Sequence, residues 1–415
     1  MRTGITTMTL DWGQCPAWLF QRMTRLGRVI ALAIISEFGS QEFIRRLADP
    51  VWFQSLGTLM AFDWNASGLT VVAMAALKEA LRGLEYDADL FICGGKGKTS
   101  RKTPEQITSW SWTIGFDQKT SDRLVYTSKA SAKVDSALIQ DGFTLYHHNF
   151  IFNKKGQWAV VQQGMNTLIG RARRYHWLGD NVKNFIEEPH TGIATQAKLP
   201  TVLDLTNKIS KKNKEVTLEL VKHEKSLYRD LKILSQNSPG RSPFGHLLGV
   251  NKSRLLESAK DTSEVAQRDS SDGGGISKEH HQFKILSLPG IEFHHHPVEN
   301  EFLHPQLRKT IDKVVVARPN SFESLLMTPG VGGRTIRALS LVSEVIYGAK
   351  PSYEDPARYS FSFGGKDGTP YPVDRTTYDK TLSVLENAVR KSNLFLKEKN
   401  STLQKIEDLQ KRLIA

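Results

Sequence analysis

A chain of 415 residues, 39% of them hydrophobic, has room for two or three domains with real cores and is not wholly disordered. Its formal charge of +13 favours an anionic partner, nucleic acid ahead of a membrane surface, and Cys15 and Cys93 as the only cysteines exclude a disulfide framework or a cysteine zinc site. The apolar run at residues 29–35 is too short to span a bilayer and lacks a cleavage-site pattern, so a soluble, cytoplasmic protein without membrane association is expected.

In chain order, apolar residues recur at helical intervals over 18–38 and again over 41–47 after Gly39, and the Ala- and Leu-rich stretch 69–84 predicts a third helix. Residues 88–93 read as a strand, and 126–138 as a further helix. The period changes to two over 143–152 and 158–163. These flank Asn153-Lys154-Lys155-Gly156 and predict a β-hairpin whose turn contains the glycine it needs. The basic run Arg171-Ala172-Arg173-Arg174-Tyr175-His176-Trp177 is read as helical. Charged helix follows over 211–234, and SPGRSP and DSSDGGG mark a flexible polar linker. The expected fold class is α+β. It comprises an N-terminal mixed domain over 1–205, a charged helix over 206–235, a linker over 236–282, an all-α helix-hairpin-helix domain over 283–375 and a long helix over 376–415. The stripe Leu382, Leu385, Val389, Leu396, Leu403, Ile406 and Leu413 on that last helix is expected to pack on its own domain or pair with another helix.

The helix-hairpin-helix reading rests on Pro329-Gly330-Val331-Gly332-Gly333 between two apolar-periodic segments. Asn320 and Glu323 form a capping-box-like start, Leu325 and Leu326 supply the first helix's buried side, and the second helix carries Ile336, Leu339, Val342 and Ile346 up to Gly348. Gly330, Gly332 and Gly333 permit positive φ and, with Val331, leave backbone N–H groups open to a phosphate oxygen. Arg334 and Thr335 add a charge and a hydroxyl. Such a grip positions a nucleic acid backbone without reading its sequence. A tight helical hairpin that merely uses glycines is the alternative.

Gly94-Gly95-Lys96-Gly97-Lys98-Thr99 superficially suggests a phosphate loop, but Ile92 stands where the Walker spacing needs glycine and Pro104 interrupts the expected helix. A basic loop of Lys96, Lys98, Arg101 and Lys102 touching a nucleic acid backbone remains, extended by Arg173 and Arg174. Around the predicted hairpin, Asp141, His148, Gln162 and His176 suggest a phosphodiesterase assisted by magnesium or manganese, in which the metal makes hydroxide and steadies the leaving oxygen. Neighbours on a strand face opposite sides, so His147 and His148 cannot both join one site unless a bulge intervenes. Gln162, Gln163 and Gly164 also replace the acid and lysine expected on the second strand. His294, His295 and His296, with Glu292, Glu299, Glu301 and His304 nearby, are dense enough to ligate a transition metal, or to bond phosphate or backbone as loop histidines.

After the hairpin, Tyr347-Gly348-Ala349-Lys350-Pro351-Ser352-Tyr353-Glu354-Asp355 resembles the loop of base-excision DNA glycosylases. That resemblance implies Asp355 as the aspartate that assists departure of a flipped base, with a structural Asp-Pro turn as the alternative. Arg334 occupies the place of the bifunctional enzymes' nucleophilic lysine, which excludes a Schiff-base lyase.

Across the chain, RTGITTMTL, PAWLFQRM, DPVWFQSLG, GGKGKTSRKTPE, AKVDSALIQDGF, LYHH, WAVVQQGMN, ARRYHW, EPH, HHHPV, PGVGGRTIRALSLVSEVIYG, DPARYSF and GGKDGTPYPVDR occur in this order. Together they resemble a prokaryotic family catalogued as domain of unknown function 763. The resemblance implies an intracellular prokaryotic protein with a helix-hairpin-helix and implies no activity. Asp11 and Phe363 stand where relatives often have histidine, whereas His148, His176, His190 and His295 match. The combined expectation is a non-sequence-specific nucleic-acid-binding protein of DNA repair or processing, DNA ahead of RNA, with metal-dependent cleavage as its enzymatic form. A non-enzymatic scaffold that recruits a protein partner or self-associates through the terminal helix is the alternative, and a helix-hairpin-helix glycosylase the third.

Overall fold

The computed structural model describes residues 15–61, 66–196, 198–236 and 305–357, together with residue 387. Four helices open the fold: α1 (Ala17–Phe38), α2 (Ser40–Leu47), α3 (Pro50–Ala61) and α4 (Ala66–Ala80). Gly39, at φ +83°, turns the chain between the first two, as its position in the pattern predicts. Strand β1 (Phe91–Lys96) and the 3-10 turn Gly97–Lys102 then lead into α5 (Thr103–Thr113) and α6 (Gln118–Ala137). The latter starts earlier than its apolar pattern suggests because the Asp117 side chain caps it, accepting from the Thr120 N–H at 2.9 Å.

Six further strands follow: β2 (Ile139–Gln140), β3 (Thr144–Phe152), β4 (Trp158–Asn166), β5 (Arg171–Leu178), β6 (His190–Thr195) and β7 (Leu203–Asp204). β1, β3, β4, β5 and β6 form an antiparallel sheet in the order β1-β3-β4-β5-β6, and β2 pairs with β7. The predicted hairpin is β3 and β4. The expected helix at 171–177 is instead β5: Arg173, Tyr175 and Trp177 point to one side and Arg174, His176 and Leu178 to the other. Both sides of this strand are buried, so no polar face marks its period of two, and the basic run imitates a solvated helix.

Both faces of the sheet are covered. Ile92, Ile151, Ala159, Val161 and Leu178 share a core with α1 to α4, while Phe91, Phe150, Phe152, Trp158, Val160 and Trp177 face α5 and α6. The result is three layers, a mixed α and β class with its antiparallel sheet in the N-terminal half.

The charged helix expected over 211–234 is interrupted around Lys222 and His223, giving α7 (Lys211–Leu220) and α8 (Glu224–Gln236). Beyond the stretch outside the described residues lie α9 (Pro305–Ala317), α10 (Phe322–Met327) and α11 (Gly333–Val345). These short helices do not stand on a core of their own. Leu307, Ile311, Leu325, Leu326, Ile336, Leu339 and Val342 belong to the cluster that contains Phe150, Trp177, Leu220 and Leu231. Asn213 Nδ2 donates to the carbonyls of Ser340 and Ala349 at 3.0 and 2.7 Å, and the Asp204 N–H donates to Ser352 O at 2.9 Å. Helices of 6 and 13 residues bury too little apolar surface alone and gain it from this packing. The expected linker, His294, His295, His296 and the stripe of the terminal helix lie outside the described residues. Among those described, no helix is long and apolar enough to cross a membrane.

Candidate functional site

On one face of α6, Ser128, Ser131 and Asp135 follow one another at spacings of three and four and look onto the sheet. The cross-strand pair His148 and Gln162 meets them there. Ser128 Oγ lies 2.9 Å from His148 Nε2, and His148 Nδ1 lies 2.7 Å from Gln162 Oε1. Gln162 Nε2 donates to Ser131 O at 3.2 Å and to the Asp135 carboxylate. Since that amide nitrogen faces two acceptors, its oxygen accepts from His148, which therefore carries its proton on Nδ1 and receives the Ser128 hydroxyl on Nε2. Asp135 also accepts from Trp177 Nε1 at 3.0 Å and bonds His190. Burial pulls His148 below the usual histidine range, against the opposing pull of Gln162 and Asp135. This chain of hydrogen bonds joins helix to sheet, and every link is buried or nearly so. It rigidifies the centre of the fold.

A second buried group lies nearby. Arg173 Nη1 donates to Asp141 Oδ2 at 3.0 Å and to Asp355 Oδ1 at 3.1 Å, while Nη2 reaches Asp355 Oδ2 at 2.6 Å. Tyr175 donates to Asp141 at 2.7 Å, and the N–H groups of Phe143, Leu199 and Ala357 complete both carboxylates. Burial raises the Asp141 carboxyl above its ordinary range, with Arg173 working against that rise. Burial also opposes the charge of Arg173, but Asp141 and Asp355 outweigh it and hold the guanidinium protonated. Asp355 is thus a clamp between the stretch after α11 and the sheet, and its carboxylate, expected to assist a flipped base, is instead occupied by Arg173 and two backbone N–H groups. Arg173 is 0% exposed and cannot serve in a basic track.

His176 and Arg174 sit on the opposite face of the sheet, because β4 and β5 pair Val161 with His176 and Gln163 with Arg174. Arg174 donates to His176 Nε2, Thr70 Oγ1 and Gln54 Oε1 at 2.8, 2.9 and 3.1 Å, and His176 Nδ1 then donates to Leu47 O at 3.0 Å. Arg174 is likewise buried. The four residues expected to form a nuclease site, Asp141, His148, Gln162 and His176, are therefore split by the sheet and do not converge. The carboxylate that was to hold magnesium or manganese is filled by Arg173, Tyr175 and a backbone N–H. Among the described residues no group of three or more His, Cys, Asp or Glu gathers to hold an ion.

His147 also faces this side. It is buried between Lys96 and Gln163 in register, and both ring nitrogens, Asn149 Oδ1 and Gln163 Oε1 lack hydrogen-bond partners. Two cations in the same row, Lys96 and Arg174, make the spot unfavourable for a metal ion. Burial pushes His147 down to about 3, with His148 and Lys96 adding to the effect, and holds His176 well below its usual range. The sign follows from linkage. Below the ordinary value of 6.5 the unfolded chain takes up protons that these folded imidazoles refuse, so stability falls as pH drops from 6.5 towards 3. Thermal melts between neutral pH and pH 4 should show this fall, and His147→Gln should reduce the linked uptake by about one proton. A melting temperature unchanged by acid, or the same slope in the variant, would contradict the assignment.

The exposed candidates are arranged differently. α10 starts at Ser321, whose hydroxyl accepts from the Ser324 N–H at 3.0 Å while Ser324 Oγ accepts from the Ser321 N–H at 3.1 Å. The capping box is this pair and not Asn320 with Glu323, whose carboxylate accepts from Tyr126 instead. In the turn to α11 only Gly330 uses positive φ, at +93°, and Val331 is buried. Gly333 packs closely against another helix. A Cβ there would lie 3.2 Å from Ser136 O, and its carbonyl accepts from Gln140 Nε2 at 2.8 Å, so α11 begins hard against the end of α6. Thr335 is buried too, which narrows the expected grip to Gly330, Gly332 and Arg334, of which Gly330 and Arg334 are exposed.

Gly94 is similarly explained by packing, since a Cβ would meet His148 O at 2.1 Å. Beyond it, Lys96, Lys98, Arg101 and Lys102 are all exposed on and beside the turn Gly97–Lys102. α5 and α6, joined only by residues 114–117, pack against each other and run antiparallel. The basic turn that precedes α5 and the α6 end that carries Gly333 therefore lie towards the same end of the pair.

Sequence reasoning missed Ser128, Ser131 and Asp135. Their signal was present in polar residues repeating at helical spacing among Leu124, Val134 and Leu138.

Fold and polar centre together define a three-layer mixed α and β protein whose buried charges are held in hydrogen-bonded groups and whose basic groups beside the turn Gly97–Lys102 are exposed. The chain belongs to the family described as protein of unknown function, DUF763, whose model matches residues 4–373. No match was found among curated proteins or among solved structures.

Proposed function

We propose that this protein binds the phosphate backbone of nucleic acid without reading its sequence, DNA ahead of RNA, as part of cytoplasmic DNA processing. Two elements form the grip: the helix-hairpin-helix made by α10 and α11, and the basic turn before α5. The observation that carries the reading is the exposure of Lys96, Lys98, Arg101 and Lys102 together on and beside one short turn, in a chain of net charge +13. Clustered, solvated cations are an electrostatic footprint for a polyanion, and the start of α11 adds backbone N–H groups and Arg334. Hydrolysis forms no part of the proposal, because Asp141 and Asp355 are saturated by Arg173 and its neighbours. Arg334→Ala should weaken binding equally across sequences and lower the salt slope on duplex DNA by roughly 0.9. An unaltered slope would make the hairpin purely structural.

A further inference from the structure

Helix α5 leaves the basic turn with one ridge exposed: Arg101 and Lys102, then Glu105, Ser109 and Trp112, at steps of three and four residues. The ridge Thr103, Ile107 and Ser111 is buried, and Trp110 packs on Phe91 with ring centroids 5.0 Å apart, which fixes the helix's rotation. Trp112 is thereby held out into solvent. At 87% exposure it is the most exposed large apolar side chain among the described residues. An indole left in water forgoes the stabilisation that burial gives aromatic side chains, and no packing among the described residues accounts for its place.

We propose that Trp112 is a stacking platform for an unpaired base of single-stranded nucleic acid whose phosphates run over the basic turn. This inference rests on the backbone-binding reading above and names its substrate class. A duplex hides the faces of its bases within the stack, so an indole on a rigid helix finds a base face only on an unpaired strand. Stacking also tolerates any base, in keeping with a grip that reads no sequence. From Lys102 to Trp112 the helix rises about 15 Å. Glu105, between them, repels phosphates from the middle of the ridge and leaves that stretch to sugars and bases. A protein partner fits less well, since the exposed residues nearest Trp112 along the helix, Thr108, Ser109 and Thr113, carry hydroxyls, and the apolar Ile114 and Phe116 are partly buried against the core.

The test uses the full chain with a labelled oligothymidylate and a duplex of equal length, read by fluorescence anisotropy. Trp112→Ala should weaken single-strand binding roughly tenfold and leave duplex binding unchanged, and Trp112→Phe should restore most of the loss. Unchanged single-strand affinity in Trp112→Ala, or an equal loss on duplex, overturns the stacking role. If the wild-type chain binds neither probe, the backbone reading fails and this inference with it. Where Lys98→Glu and Arg101→Glu weaken binding but Trp112→Ala does not, the basic grip stands and only the stacking inference falls.

Discussion

Arg173→Met is expected to destabilise the protein by about 3–5 kcal/mol, because removing one partner from a buried ion group leaves uncompensated charge in the interior. Here two carboxylates would be stranded at once. Asp141 and Asp355 both depend on this guanidinium, and all three side chains are at most 1% exposed. The consequence should also be local, since Asp355 joins the stretch after α11 to β5. Limited proteolysis should cut around residues 349–357 more readily in the variant than in the wild-type chain. Combining Arg173→Met with Asp141→Asn and Asp355→Asn should recover much of the stability, as the buried charge disappears with its partner. A loss below about 1 kcal/mol in urea unfolding, or no recovery in the triple variant, would show that the clamp contributes little.

Reversing the basic turn should have the largest effect on binding. Lys98, Arg101 and Lys102 are exposed, so Lys98→Glu/Arg101→Glu/Lys102→Glu is expected to keep the fold. Every phosphate that the variant no longer neutralises lowers the salt slope by roughly 0.9 on duplex DNA, and new carboxylates repel what the cations attracted. Affinity near physiological salt should fall on the order of a hundredfold or more, with a slope shallower by roughly 2 to 3. Equal affinity and slope in variant and wild type would remove this turn from the interface.

What could be read in the sequence follows from which surfaces water touches. The breaks at Gly39 and the hairpin around Gly156 were legible, because a turn glycine interrupts a pattern whatever packs above it. β5 was not. Arg173, Arg174 and His176 sit in a strand buried on both sides, and their partners, Asp355 at a separation of 182 residues and Thr70 at 104, cannot be paired with them by local pattern. The same long-range pairing made a structural Asp355 look catalytic and gave Arg173 and Arg174 the appearance of a solvated basic run. The glycines misled in a related way. Gly94 and Gly333 matched phosphate-binding motifs, yet the backbone of His148 comes too close to Gly94 for a Cβ, and Gly333 packs tightly against Ser136 O. Separate domains were expected from the polar composition after residue 236, whereas α9 to α11 complete a core begun by the sheet.

The measurement that bears most directly on the proposed function is the affinity of the purified full chain for a labelled duplex and a labelled single strand over a series of salt concentrations. Backbone binding predicts tight association at low salt and a linear fall of log affinity with log salt, steep enough to represent several neutralised phosphates and independent of base sequence. No binding at low salt, or an affinity indifferent to salt, would contradict it.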